Sequence, residues 1–142
     1  MPSRCPENQM RRPVREMSEF AEGRVRFRDE VPFGKKRIDL AGLSDDWRVF
    51  AVELKVSDWR RAAWQASIYQ LCANYAFIAI HADYLHRVDQ AYLEKLGIGL
   101  ISVSDSVAQL VMAAEESGLL HQGDYDRVRA ELTATLSVEE EP

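Results

Sequence analysis

In AVELKVSDWR, residues 51–60, a carboxylate and an ammonium interrupt an otherwise apolar run: Glu53 and Lys55. Charge inside a buried strand is costly, so its placement needs a reason. Alternate residues of a strand share a face. Phe50, Val52, Leu54 and Val56 form one wholly apolar face, while Val49, Ala51, Glu53 and Lys55 form another that is apolar at its start and charged at its end. Both charges therefore collect at the C-terminal end of the strand, the edge where open α/β sheets bind ligands. Asp39 lies on the preceding strand, and neighbouring strands run about 4.8 Å apart, so a short register shift sets it beside Glu53. Two carboxylates that close repel unless a cation sits between them. Mg²⁺ is the natural one, held by one or two carboxylates, waters and substrate phosphate oxygens. Lys55, facing the same point, would orient or activate the attacking water and offset charge building on a phosphate. The plain alternative is an ion pair on a solvated strand face, contributing about 0–1 kcal/mol.

The elements that would position these groups follow from periodicity. Residues 12–22 repeat Val14, Met17, Phe20 and Ala21 at helical spacing, with Gly23 to end the helix. Residues 24–31 alternate, with Val25, Phe27 and Asp29 on one face and Arg24, Arg26, Arg28 and Glu30 on the other. Turn chemistry at 32–35 leads to strands over 36–43 and 47–56, an antiparallel meander. Ser57 or Asp58 caps a helix running to about Asn74, its apolar stripe formed by Trp64, Ile68, Leu71, Cys72 and Tyr75. A buried strand over 76–81 completes a βαβ unit. A short helix near 84–95, a strand over 98–104, and two terminal helices over about 105–117 and 124–136, the first closed by Gly118, finish the chain. The expected class is α/β, a mixed central β-sheet with flanking helices.

The 142 residues, 46% hydrophobic and 29% charged, fit one domain with a real core over 1–142. No apolar stretch approaches the roughly 20 residues needed to span a bilayer, and the N-terminus has no signal-peptide core, so a cytoplasmic protein is expected. Cys5 and Cys72 suggest reduced thiols, and with His81, His86 and His121 they are too few for a structural zinc site. The net charge of −5 conceals an asymmetry: residues 1–64 hold 14 Lys and Arg against 11 Asp and Glu, residues 65–142 hold 4 against 12.

Asp39, then Glu53-Leu54-Lys55, then a helix carrying Gln65, resembles the PD-(D/E)XK nuclease superfamily, the restriction-endonuclease-like folds that include Holliday-junction resolvases and small repair nucleases. The resemblance covers about residues 12–104 and implies an αβββαβ core, with the helices over about 105–136 added to it. It implies that Asp39 and Glu53 bind Mg²⁺ or Mn²⁺, that Leu54 lends its backbone carbonyl, that Lys55 is the catalytic lysine, and that Gln65 is the glutamine often found on the following helix. Two departures are visible. Ile38 stands where the family has proline, and Arg12 falls near the position where many members place a metal-binding Glu on the first helix. Glu16 and Glu19 are the substitutes at hand, which leaves one or two metals open.

The resemblance implies hydrolysis of DNA phosphodiesters to leave a 5′-phosphate, with RNA left open. Lys35, Lys36, Arg37, Arg60 and Arg61 flank the site in the chain and would hold phosphates, as would the Arg24, Arg26 and Arg28 stripe; such contacts give affinity and register without sequence choice. On the helix, Trp64 fits the core stripe, and Trp59 packs or stacks on a base. Two other classes remain: a catalytically inactive nucleic-acid-binding or assembly domain on the same fold, and a protein-interaction domain. With little beyond a catalytic core, the chain is expected to act as a homodimer or as a subunit of a larger nuclease complex, Val107, Leu110, Val111, Leu119 and Leu120 being candidates for the dimer surface.

Overall fold

A computed structural model describes residues 7–17, 20 and 24–140. Six strands form one mixed sheet in chain order: β1 (Val25–Phe33), β2 (Lys36–Ser44), β3 (Val49–Lys55), β4 (Tyr75–His81), β5 (Gly99–Val103) and β6 (Ala108–Met112). The first three make the antiparallel meander that their alternation and tight turns require, Gly34 taking φ 61° in the first turn. β3, β4 and β5 are mutually parallel, and β6 returns antiparallel on β5. The α/β class, with helices against a mixed sheet, is as expected.

Helix α1 (Arg11–Arg15) follows a 3₁₀ turn at Glu7–Met10; α2 (Trp59–Tyr69) joins β3 to β4; α3 (Gln90–Leu96) follows a second 3₁₀ turn at Ala82–Arg87; α4 (Gln122–Glu140) ends the described chain. Asp58 caps α2 by accepting from the Arg61 amide, 3.2 Å. One sheet face packs Ile38, Ala41, Val49, Ala51 and Ile78 against α2, α3 and α4, and the other packs Leu40, Phe50, Val52, Leu54 and Phe77 against Met10 and Val14 of the N-terminal turns. Burying each Leu- or Ile-sized side chain contributes roughly 1.5–3 kcal/mol, so these two layers can carry the cost of a few buried charges.

Several expectations are corrected. Residues 105–117 do not form a helix. Ser104 and Val107 close a tight turn through their backbones, and Ala108–Met112 pairs along β5 with a register shift at Leu100/Ile101. The free edge of β5 supplies ladder hydrogen bonds that outweigh the segment's modest helical pattern, and Gly118 ends no helix. α2 stops at Tyr69 rather than near Asn74. Its buried stripe is Trp59, Ala62, Ala63, Ala66 and Tyr69, the three alanines letting it approach the sheet, whereas Trp64 is 57% exposed and Leu71 38%. Trp64 is thus not core, and Trp59 is. The first helix is the shorter Arg11–Arg15; Ala21, Gly23 and Glu19 lie outside the described residues.

One irregularity positions the site. Glu30 takes φ 55° in the middle of β1, and the sheet face switches there: Phe27 belongs to one core layer and Val31 to the other. In β2 the same switch falls at Asp39, between Ile38 and Leu40.

Candidate active site

The β2–β3 ladder runs from Leu43↔Val49 to Leu40↔Val52 and stops. Continued, it would set Asp39 against Glu53 and Ile38 against Leu54. Instead the Asp39 carboxylate turns into the gap, and its Oδ2 accepts the Leu54 N–H at 2.9 Å. A strand residue's N–H and C=O point to the same side, so the Leu54 carbonyl faces this gap as well. β3 stays paired with β4 as far as Lys55↔Ile80. The strand is held on one flank while its end opens on the other.

Glu53 is 6% exposed. Its Oε1 accepts from the Tyr69 hydroxyl at 2.7 Å, and the Tyr69 hydroxyl oxygen also lies 3.3 Å from the Arg37 carbonyl. Burial pushes the Glu53 carboxyl up to about 7; the Tyr69 hydrogen bond pulls down, the charge and hydrogen bonding of Asp39 push up, and Lys55 pulls down. Asp39 and Glu53 therefore lie within interaction reach. Burial, with Glu53 behind it, raises the Tyr69 phenol, which keeps Tyr69 a hydrogen-bond donor.

Cations bracket the pair. Arg11, from α1, donates to the Asp39 carbonyl at 2.6 Å and to Glu30 at 2.8 Å, and stands 3.9 Å from the Asp39 carboxylate. It occupies the place that the turned-out Glu30 leaves in the β1–β2 ladder. Lys55 Nζ lies 3.6 Å from Glu7 in the first 3₁₀ turn. Among the described residues, no three His, Cys, Asp or Glu side chains form a metal-binding group. A divalent ion here would have two carboxylates, main-chain oxygen and water, a donor set that suits Mg²⁺. A buried carboxylate whose charged form is disfavoured is what such an ion would stabilise, so the residues present fit the group.

Of the predicted site residues, Asp39, Glu53, Leu54 and Lys55 come together. Among the described residues Gln65 makes no hydrogen bond to the carboxylates; its Oε1 accepts from Lys36 at 3.3 Å. Lys35, Lys36, Arg37, Arg60 and Arg61 are exposed. Lys36 lies 4.3 Å over the Trp64 ring, and Arg60 4.8 Å over Trp59. Arg28 is committed elsewhere, paired with Glu131 of α4 at 2.9 Å, so the β1 stripe is not an open phosphate face at that position. Glu16 pairs with Arg12 and offers nothing to the site. Tyr69, Arg11 and Glu7 are additions. Tyr69 had a signal, a polar tip on the Trp59–Ala62–Ala66–Tyr69 face of the helix; Arg11 and Glu7 had none.

No family model matches the chain, and no curated protein matches it. Among solved structures it is similar to the SPO1766 protein of unknown function from Silicibacter pomeroyi, with a TM-score of 0.73 and 16% identity over 95% of this chain and 88% of that one. That likeness is one of fold. No helix among the described residues is long and apolar enough to cross a membrane.

Proposed function

We propose that this chain is a metal-dependent nuclease of PD-(D/E)XK type that hydrolyses DNA phosphodiester bonds. The observation carrying the reading is the Asp39–Glu53 pair at the point where the β2–β3 ladder ends, with Lys55 on the same strand end. Asp39, Glu53 and the Leu54 carbonyl would hold Mg²⁺ or Mn²⁺. Such an ion acts as a Lewis acid toward phosphate and water. The chain's own residues do the remainder. Tyr69 fixes the Glu53 rotamer, and the Leu54 amide fixes that of Asp39. Lys55 places a positive charge where a phosphate gains negative charge in the transition state. Glu7 is the carboxylate that the first helical turns supply, aimed at Lys55. Gln65 acts as a positioning residue for Lys36, which with Lys35, Arg37, Arg60 and Arg61 would contact the backbone. A homodimer would use the β6 edge, where Val107 and Val111 are exposed, and the setting would be cytoplasmic.

The test is nicking of supercoiled plasmid and labelled oligonucleotides with Mg²⁺ or Mn²⁺. Asp39→Asn, Glu53→Gln and Lys55→Met should each lose cleavage; activity surviving all three overturns the reading. A second reading has one observation in its favour. Asp39 and Lys55 both have protein partners, Leu54 and Glu7, as they would in an inactive nucleic-acid-binding or assembly domain. DNA binding without cutting in either metal would select it.

A further inference from the structure

Beside the site, α2 and α3 enclose a groove of about 450 Å³ lined by Trp59, Arg60, Trp64, Asp89 and Tyr92. Trp59 is its floor, 6% exposed, with Tyr92 edge-on at 6.0 Å and Arg60 over its face. Its two rims are Trp64, 57% exposed, and Tyr92, 48% exposed. Large aromatic surface left open on both sides of one concavity calls for a flat occupant. The charge around it is positive: Lys36 lies on the Trp64 ring, Arg60 on the Trp59 ring, and Arg61 follows in the same exposed turn. The one acidic side chain among the described residues that line it, Asp89, is engaged in capping α3 through the Tyr92 amide at 3.1 Å.

We infer that this groove receives unpaired bases of a nucleic-acid strand, stacked between Trp64 and Tyr92, with the adjoining phosphates on Lys36, Arg60 and Arg61. A duplex hides its base faces in the stack, so only a single-stranded, flapped or frayed segment presents them. Base–aromatic stacking next to a basic track is how sequence-tolerant strand binders work. A proline-rich peptide would fill an aromatic groove too, but it brings no negative charge for the three cations. The inference deepens the nuclease reading, on which it rests for the kind of polymer: it assigns the enzyme a preference for substrates with single-stranded character. Lys36 links the two places, since its hairpin carries Asp39 three residues on and its ammonium touches both Trp64 and Gln65.

The experiment is fluorescence anisotropy of a 5′-labelled oligothymidylate and of a blunt duplex, in EDTA at low salt, on the full chain. The wild type should bind the strand more tightly than the duplex. Trp64→Ala and Tyr92→Ala should each weaken strand binding about tenfold and leave duplex binding nearly unchanged, while Trp64→Phe keeps most of the affinity. Both rims are exposed, so thermal melts should stay near wild type. Strand binding unmoved by either alanine variant, or no binding to the strand, overturns the inference. The two readings fail separately. Cleavage that needs Asp39 and Glu53 but ignores Trp64 removes the groove and keeps the site. Trp64-dependent strand binding with no cleavage in any metal keeps the groove and removes the site.

Discussion

The two ends of β3 solve one problem with different chemistry. At its start, the Val49 N–H needs an acceptor, and the buried Asn74 side chain supplies one at 2.7 Å, while the Asn74 amide donates back to the Val49 carbonyl at 2.9 Å. At its finish, the Leu54 N–H needs an acceptor, and Asp39 supplies it at 2.9 Å. A neutral amide suffices at the first end. At the second, a charged group does the same closing, beside a second carboxylate buried under Tyr69. Charge at such a place costs more than an amide. The strand's closure therefore accounts for the hydrogen bond to Leu54 but not for the two charges, which is why the reading of this end turns to a cation.

The largest expected effect separates those two roles at Asp39. Asp39→Asn keeps an acceptor for Leu54 and removes the charge; Asp39→Ala removes both. Cleavage in Mg²⁺ should fall by on the order of 10²–10³ or more in either variant, the range for deleting one preorganised charge-handling group. Stability should separate them: Asp39→Ala loses about 1–3 kcal/mol more than Asp39→Asn, because an amide is left without its partner. Equal cleavage by wild type and Asp39→Asn would mean that the carboxylate is only a strand closer, and the contrast between the two ends would collapse.

The opposite end gives the complementary case. Asn74→Ala leaves the Val49 N–H without an acceptor in the core and should cost about 1–3 kcal/mol in urea unfolding. Cleavage per folded molecule, and any stabilisation by Mg²⁺, should stay at wild-type values.

Glu53 sharpens the comparison through pH. Burial pushes its carboxyl up to about 7 in the folded chain against an ordinary 4.5. Between those values the folded state keeps a proton that the unfolded state has released, so this group's stabilisation is complete below 4.5 and is lost as pH rises through 7. The stability difference between wild type and Glu53→Gln should therefore move against wild type by about 3 kcal/mol from pH 4.5 to 8. Saturating Mg²⁺ at pH 8 should restore about as much to wild type, roughly 2.7 kcal/mol at a hundredfold excess over Kd, and nothing to Glu53→Gln. A difference flat across the window would place Glu53 in a setting no more costly than water.

The meander was legible because residues 24–31, 36–43 and 47–56 alternate cleanly, and with it the convergence of Asp39 and Glu53, since short turns fix the register. The Asp58 cap was legible for the same local reason. β6 was not. Leu110, Val111 and Ala114 fit a helix as well as a strand, and the deciding factor, an open edge on β5, is a tertiary fact; the Ser104-Asp105-Ser106 turn chemistry was the clue available. Periodicity assigns the α2 stripe to the large residues, although the alanines Ala62, Ala63 and Ala66 face the sheet. That pattern puts Trp64 in the core, whereas its ring lies on the surface. Arg11 and Glu7 reach the site from turns that share no pattern with it, and no spacing rule joins position 11 to position 39.

Gln65 is where the smallest effect is expected. The role the resemblance implies puts it at the reacting centre, whereas its side-chain hydrogen bond among the described residues runs to Lys36, 3.3 Å away on the hairpin. An exposed hydrogen bond of this length contributes little to stability, and Lys36 is held independently by the Trp64 ring. Gln65→Ala should then lower cleavage only about threefold, less than 1 kcal/mol of transition-state stabilisation, with KM carrying most of the change because a backbone contact acts in ground and transition states alike. Lys36→Met should show the same pattern, and combining it with Gln65→Ala should add almost nothing, as expected for two residues acting through one contact. A drop in kcat for Gln65→Ala as deep as that for Lys55→Met would move Gln65 from the hairpin to the reacting atoms, and would require α2 to turn its Gln65 face toward Glu53 when substrate binds.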